Sequence, residues 1–134
     1  MNYLEKLRKS ALRPTKQRIK ICEVLFGNEK TFHFTINELA KMIEINTNQK
    51  ISLATVYNTI HAFKKKGYIK EIAINSNQSY FDTNTSHHHH FFDEKNNELF
   101  DINSDDVDPI NIKKSIPGKK IRSVEVLVKV DTNN

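Results

Sequence analysis

Apolar positions in the first half of the chain recur at helical spacing. Leu4, Leu7 and Ala11 or Leu12 predict a short first helix ending before Arg13-Pro14. Thr15 is placed to cap a second helix that carries Ile19, Ile21, Cys22, Val24, Leu25 and Phe26, with Gly27 as its stop. Thr35-Ile36-Asn37-Glu38 has the reciprocal hydroxyl–carboxylate pattern of a capping box. It predicts a third helix through Ile45 that turns Ile36, Leu39, Ala40 and Ile43 inward. Ser52 opens a fourth, with Leu53, Val56, Ile60 and Phe63 on one face and Tyr57 at its boundary. Lys64-Lys65-Lys66-Gly67 closes it, with cations at the negative end of the helix dipole. The period then changes. Ile72 and Ile74 alternate with polar residues, Asn75-Ser76-Asn77 makes a turn, and Ser79 to Asp82 returns as a hairpin.

Helix, loop, helix and hairpin follow the winged helix-turn-helix plan, assigned to residues 1–83. Residues 84–134 read as a small sheet. His88–Phe92 and Glu98–Ile102 predict two strands joined by Asp93–Asn97. The stretch 103–115 contains Pro109 and allows at most a short helix, and Pro117-Gly118 predicts a turn. From Ile121 a third strand puts Val124, Val126, Val128 and Val130 on one side and Ser123, Glu125 and Lys129 on the other. So thin a sheet needs a cover, and a second copy of the chain is the economical one. The fold class is therefore α+β: a winged-helix domain followed by a small α/β dimerisation domain.

Composition narrows the function. Hydrophobic residues make up 37% of the 134, and no run approaches the ~20 apolar residues of a membrane span. The first residues lack the apolar core of a signal peptide, and Cys22, the single cysteine, has no internal disulfide partner. A cytoplasmic protein with no membrane partner is expected. Charge is uneven: residues 1–83 carry a net +7 and residues 84–134 a net −2. The basic half points to a polyanion, and with the winged-helix pattern to double-stranded DNA.

The candidate chemistry is the run His87-His88-His89-His90, followed by Phe91-Phe92. Imidazole is the commonest side-chain metal ligand. The two phenylalanines argue that the run enters a partly buried strand. His88 and His90 are two residues apart, so a strand would turn both to one side, where they can share an ion. No HExxH spacing is present and no acid lies beside the run to activate water, so an enzyme is not expected. A metal or haem carrier is the competing reading, with the basic half merely solubilising.

Three stretches resemble the ferric uptake regulator (Fur) family: Leu12 to Arg18, Ser52 to Ile60, and Tyr80 to Asn84 running into the histidine run. Within that family they look closest to the iron response regulators of alphaproteobacteria. The resemblance covers almost the whole chain and is weakest over 103–120. It implies a homodimeric regulator of iron and haem genes that binds an AT-rich inverted-repeat operator. By that resemblance Lys16, Gln17 and Arg18 approach the DNA backbone or minor groove. Ser52, Thr55, Tyr57 and Asn58 lie on the recognition helix. Tyr57 matches a position that contacts thymine and sugar–phosphate. Asn58 stands where many relatives have arginine, which favours adenine over guanine.

The same resemblance implies a regulatory site of His33, Asp82, His88 and His90, suited to Fe²⁺, Mn²⁺ or Zn²⁺ as co-repressor. It also marks departures. The structural zinc that relatives hold with two CxxC pairs is excluded, because the first pair falls on Asp93 and Asn96. A second regulatory site keeps His87 and His89, with Asp108 as a substitute acid, but has Val124 for its strand histidine. The iron-response likeness implies haem as the releasing ligand. His89 is then the candidate axial ligand, with His87, His88 and His90 competing. Cys22 lacks the Cys-Pro haem motif and lies on an apolar helix stripe, where a core role is expected.

Overall fold

The computed structural model describes residues 2–133 and divides into two units, Met1–Thr85 and Ser86–Asn134. No helix among the described residues is long and apolar enough to cross a membrane.

The first unit holds four helices: α1 (Tyr3–Lys9), α2 (Lys16–Phe26), α3 (Ile36–Thr47) and α4 (Leu53–Lys65). Their starts are set by local side-chain bonds. Thr15 Oγ1 accepts from the Arg18 N–H at 3.2 Å, and Ser52 Oγ from the Thr55 N–H at 3.1 Å. Thr35 and Glu38 close both arms of the capping box at 3.1 Å. Each bond satisfies a backbone donor that the first helical turn leaves without a partner. Leu7, Ile21, Cys22, Leu39, Ile43, Val56, Ile60 and Phe63 are fully sealed from solvent and form the core.

Val56, Ile60 and Phe63 of the predicted α4 stripe are buried, but two positions differ. Leu53 is 51% exposed, whereas Thr59 is fully buried. The Thr59 hydroxyl tolerates burial because it donates to the Thr55 carbonyl at 2.8 Å, leaving its methyl group to pack. Strands β2 (Lys70–Asn75) and β3 (Gln78–Asp82) form the predicted hairpin. A two-residue strand, β1 (His33–Phe34), pairs with the far side of β3, giving the order β1-β3-β2.

The second unit is a three-stranded mixed sheet in the order β5-β4-β6. β4 (His89–Asp93) runs antiparallel to β5 (Glu98–Ile102) and parallel to β6 (Leu127–Val130). The only helix among this unit's described residues is a single 3-10 turn at Ser104–Asp106. The valine alternation from Val124 thus yields a strand over only its last four residues, and Val128 is 36% exposed. Phe92, Leu99 and Ile102 are the buried apolar residues here. So small a core stabilises little by itself.

Candidate metal centre and nucleic-acid interface

The β4–β5 register creates the site. His90 lies directly opposite Asp101, and Phe92 opposite Leu99. Asp101 Oδ1 is 3.2 Å from His90 Nε2 and 3.4 Å from His88 Nε2. The two imidazole rings are 4.5 Å apart between centroids. One carboxylate oxygen and two imidazole nitrogens therefore converge on one region. The carboxylate is half exposed while both histidines are buried. His88 Nδ1 lies 2.8 Å from the Ser86 carbonyl. A carbonyl can only accept, so Nδ1 carries a proton and donates, which leaves Nε2 turned toward Asp101. This is how backbone carbonyls orient metal-binding histidines.

His33 and Asp82 are brought together in the first unit, where they are register partners across β1 and β3. Asp82 is buried, and its Oδ1 accepts from the Asn84 N–H at 2.8 Å. The His33 ring meets Tyr80 edge-on at 6.3 Å. The pairing depends on β1, which is too short to leave a periodic trace in sequence. Asp101 is the member of the cluster with His88 and His90 that sequence reasoning missed. Treating all of Asp93–Asn97 as loop would put His90 opposite Phe100. The observed turn is one residue shorter, and Asp93 pairs with Glu98. Asn97, with φ of 56°, takes the left-handed conformation that closes it.

The other two histidines of the run bond to the segment that leads into β6. His87 Nε2 donates to the Val124 carbonyl at 2.8 Å, and His89 Nδ1 accepts from the Val126 N–H at 2.9 Å. Their rings meet edge-on at 5.0 Å. They line a cleft of about 300 Å³ with Asp108 and Val124, the four positions that the resemblance grouped together. His89 is committed there. With Nδ1 accepting, its proton sits on Nε2, and ligation of iron through either nitrogen requires that arrangement to break. Burial, then the neighbouring His87, lowers the His89 pKa and favours the neutral ring.

The turn after β4 is closed without cysteines. Asp93 accepts from the backbone of Lys95 at 3.0 Å and of Asn96 at 3.2 Å, and from the Asn96 side chain at 2.9 Å. Hydrogen bonding, first from the Asn96 side chain, holds the Asp93 carboxyl below the usual range. Cys22 is a core residue, its thiol pushed up to about 12 by burial.

On α4, Tyr57 is 50% exposed and stacks on His61 at 5.4 Å and 11° between planes. Asn58 is exposed beside it, and Lys16 and Gln17 are exposed at the start of α2. Arg18 is turned back, with one guanidinium N–H donating to the Arg13 carbonyl at 2.9 Å. Ser52 and Thr55 are joined to each other through their hydroxyls at 2.9 Å as part of the α4 cap.

Four helices with a hairpin are thus followed by a mixed sheet that bears a histidine–carboxylate cluster. Residues 9–129 match the ferric uptake regulator family, and the chain belongs to it. The peroxide-responsive repressor PerR of Staphylococcus epidermidis is 32% identical over 104 residues, 78% of this chain and 67% of that protein. The peroxide operon regulator of Bacillus subtilis is 35% identical over 83 residues, 62% of this chain and 55% of that protein. The matched segment thus spans from about half to two thirds of the curated relatives. Among solved structures, the Vibrio cholerae ferric uptake regulator superposes with a TM-score of 0.71, at 21% identity over 98% of this chain and 100% of that one. Members of the family are metal-responsive transcriptional regulators, not enzymes.

Proposed function

We propose that this chain is a homodimeric, DNA-binding transcriptional repressor whose operator affinity is set by a divalent cation. The observation that carries the reading is the convergence of His88 Nε2, His90 Nε2 and Asp101 Oδ1. Two imidazoles and a carboxylate suit Fe²⁺, Mn²⁺ or Zn²⁺, and the carbonyl-oriented proton on His88 Nδ1 fits that use. His33 and Asp82, paired across β1 and β3, are proposed to complete the donor set. A bound ion would supply the positive charge that holds these acceptors together. Lys16, Gln17, Tyr57 and Asn58 are proposed to meet DNA, with Arg18, Ser52 and Thr55 shaping the backbone around them.

A second copy of the chain is proposed to cover the sheet. Phe100, Phe91 and Val128 lie side by side across the three strands, and are 48%, 39% and 36% exposed. An in-register apolar stripe of this kind marks a protein–protein surface. A two-fold dimer would match an inverted-repeat operator. The curated relatives respond to peroxide by name, and peroxide is the proposed releasing signal. Release by haem at His89 is the competing form. It draws support from the histidine run and is opposed by the Val126 N–H on His89 Nδ1.

The test is anisotropy of a labelled AT-rich inverted-repeat duplex. The apo protein is titrated first, then protein with Mn²⁺, then with Fe²⁺ and hydrogen peroxide, and separately with haem. Binding that requires Mn²⁺ and weakens more than about tenfold in Asp101→Ala is expected, since even residues that only support a metal ligand contribute that much. Tight apo binding that haem abolishes would overturn the co-repressor reading and restore the haem one.

A further inference from the structure

One turn beyond Tyr57, α4 borders a second surface. Asn58 and His61 line a pocket of about 500 Å³, whose other wall is the end of α1. Three cations stand around it, Lys65 and Lys66 from the end of α4 and Lys9 from the end of α1. Among the described residues no carboxylate pairs with any of the three, whereas the neighbouring Lys64 is held by Glu71. The floor is Ser10 and Ala11. Ala11 has φ of 59°, a left-handed conformation that an alanine rarely takes. The chain is held there by Leu12 N–H donating to the Leu7 carbonyl at 2.9 Å and by the Ser10 hydroxyl donating to the Lys6 carbonyl at 2.8 Å. Strained backbone gathered at a cationic pocket is a feature of ligand sites.

We infer that this pocket seats a phosphate of the DNA backbone, at the wall of the groove that α4 enters, with Lys9, Lys65 and Lys66 supplying the charge. The inference rests on the DNA-binding reading above and extends it to residues outside the base-facing set. Its geometry follows from the helix. Asn58 and Lys65 are seven residues apart, a rise of about 10 Å, and the major groove is about 12 Å wide. A helix with Tyr57 and Asn58 facing bases thus carries its terminal lysines to the flanking strand. His61, stacked flat on Tyr57, joins the two regions into one surface.

The test is the salt dependence of duplex binding by the Mn²⁺-loaded full chain, on an AT-rich inverted repeat and on a random-sequence duplex. Each phosphate contact contributes about 0.9 to the slope of log K against log salt. Lys9→Gln/Lys65→Gln should flatten that slope by about one to two and weaken both duplexes by the same factor. Lys119→Gln/Lys120→Gln removes the same charge from the second unit and should leave the slope nearly unchanged. Thermal unfolding checks that both variants fold. A variant slope equal to wild type, or a loss confined to the inverted repeat, overturns the phosphate assignment and leaves DNA binding standing. Failure of the wild type to bind either duplex sinks the DNA reading and this inference together. Inorganic phosphate at matched ionic strength should not displace the duplex. If it does at low concentration, the pocket is a free-anion site instead.

Discussion

Replacing Phe100 by lysine should break the proposed dimer, and the structure sets the scale. Phe100 is 48% exposed in the single chain. A phenylalanine side chain has about 200 Å² to bury, so about 100 Å² per copy and about 200 Å² per dimer would leave water at this position. At about 25 cal/mol per Å² that is about 5 kcal/mol, an upper value because it takes burial as complete. Phe100→Lys removes this contribution and places two cations at the interface. The dimer dissociation constant should rise by about three orders of magnitude, since each 1.4 kcal/mol is about tenfold. Sedimentation equilibrium of wild type and variant measures it directly. The variant should retain its secondary structure, because the Phe100 side chain is not part of the Phe92, Leu99 and Ile102 core. A dissociation constant within tenfold of wild type would refute the assignment of this stripe to the subunit interface. A wild type that stays monomeric at high concentration would refute it more broadly.

Removing the hydroxyl of the α3 capping box, Thr35→Ala, should cost about 1 kcal/mol in chemical denaturation, and no change in midpoint would count against the cap. The Cys22 thiol, pushed up to about 12, should resist alkylation in the native protein and react only after unfolding; stoichiometric native labelling would contradict its burial. Asp93 has a folded pKa below its unfolded value, so its contribution is present above about pH 4 and is lost as pH falls through the folded value. Asp93→Ala should therefore flatten the acid limb of the stability profile, and an unaltered limb would exclude this turn as its origin. Nitrogen-15 spectra should show a proton on Nδ1 of His88, and in His89 a proton on Nε2 with Nδ1 bare. The same tautomer at both would remove the division of labour proposed for the run.

What was legible in the sequence was what depends on neighbours along the chain. Thr15, Thr35 and Ser52 cap their helices as expected because each bond closes within three residues. The alternation through His88 to Phe92 correctly separated His88 and His90 from His87 and His89, since period two is intrinsic to an extended backbone. What was not legible depended on partners far away or on a single residue of register. β1 exists only because β3 offers it hydrogen-bonding groups far along the chain, Asp82 for His33 and Phe81 for Phe34. Asp101 was hidden by a one-residue difference in turn length. Thr59 joins the buried face of α4 because a hydroxyl satisfied by its own helix packs like an apolar residue. Haem was implied by the family resemblance rather than by any spacing of the histidines. His87 and His89 bond to backbone 37 positions away, which no local pattern in the sequence marks.

The bonds from His87 and His89 to Val124 and Val126 bear on the order in which the second unit assembles. Each spans 37 residues. Closing a loop of that length costs about 3 kcal/mol of chain entropy before any contact compensates. The β4–β5 hairpin, joined by four turn residues, faces no such barrier and should form first. The segment leading into β6 then docks last, its alignment set by two imidazoles rather than by its own four-residue ladder. In the native protein the same asymmetry makes β6 the earliest element to open, so its amides should exchange with solvent well before those of β4.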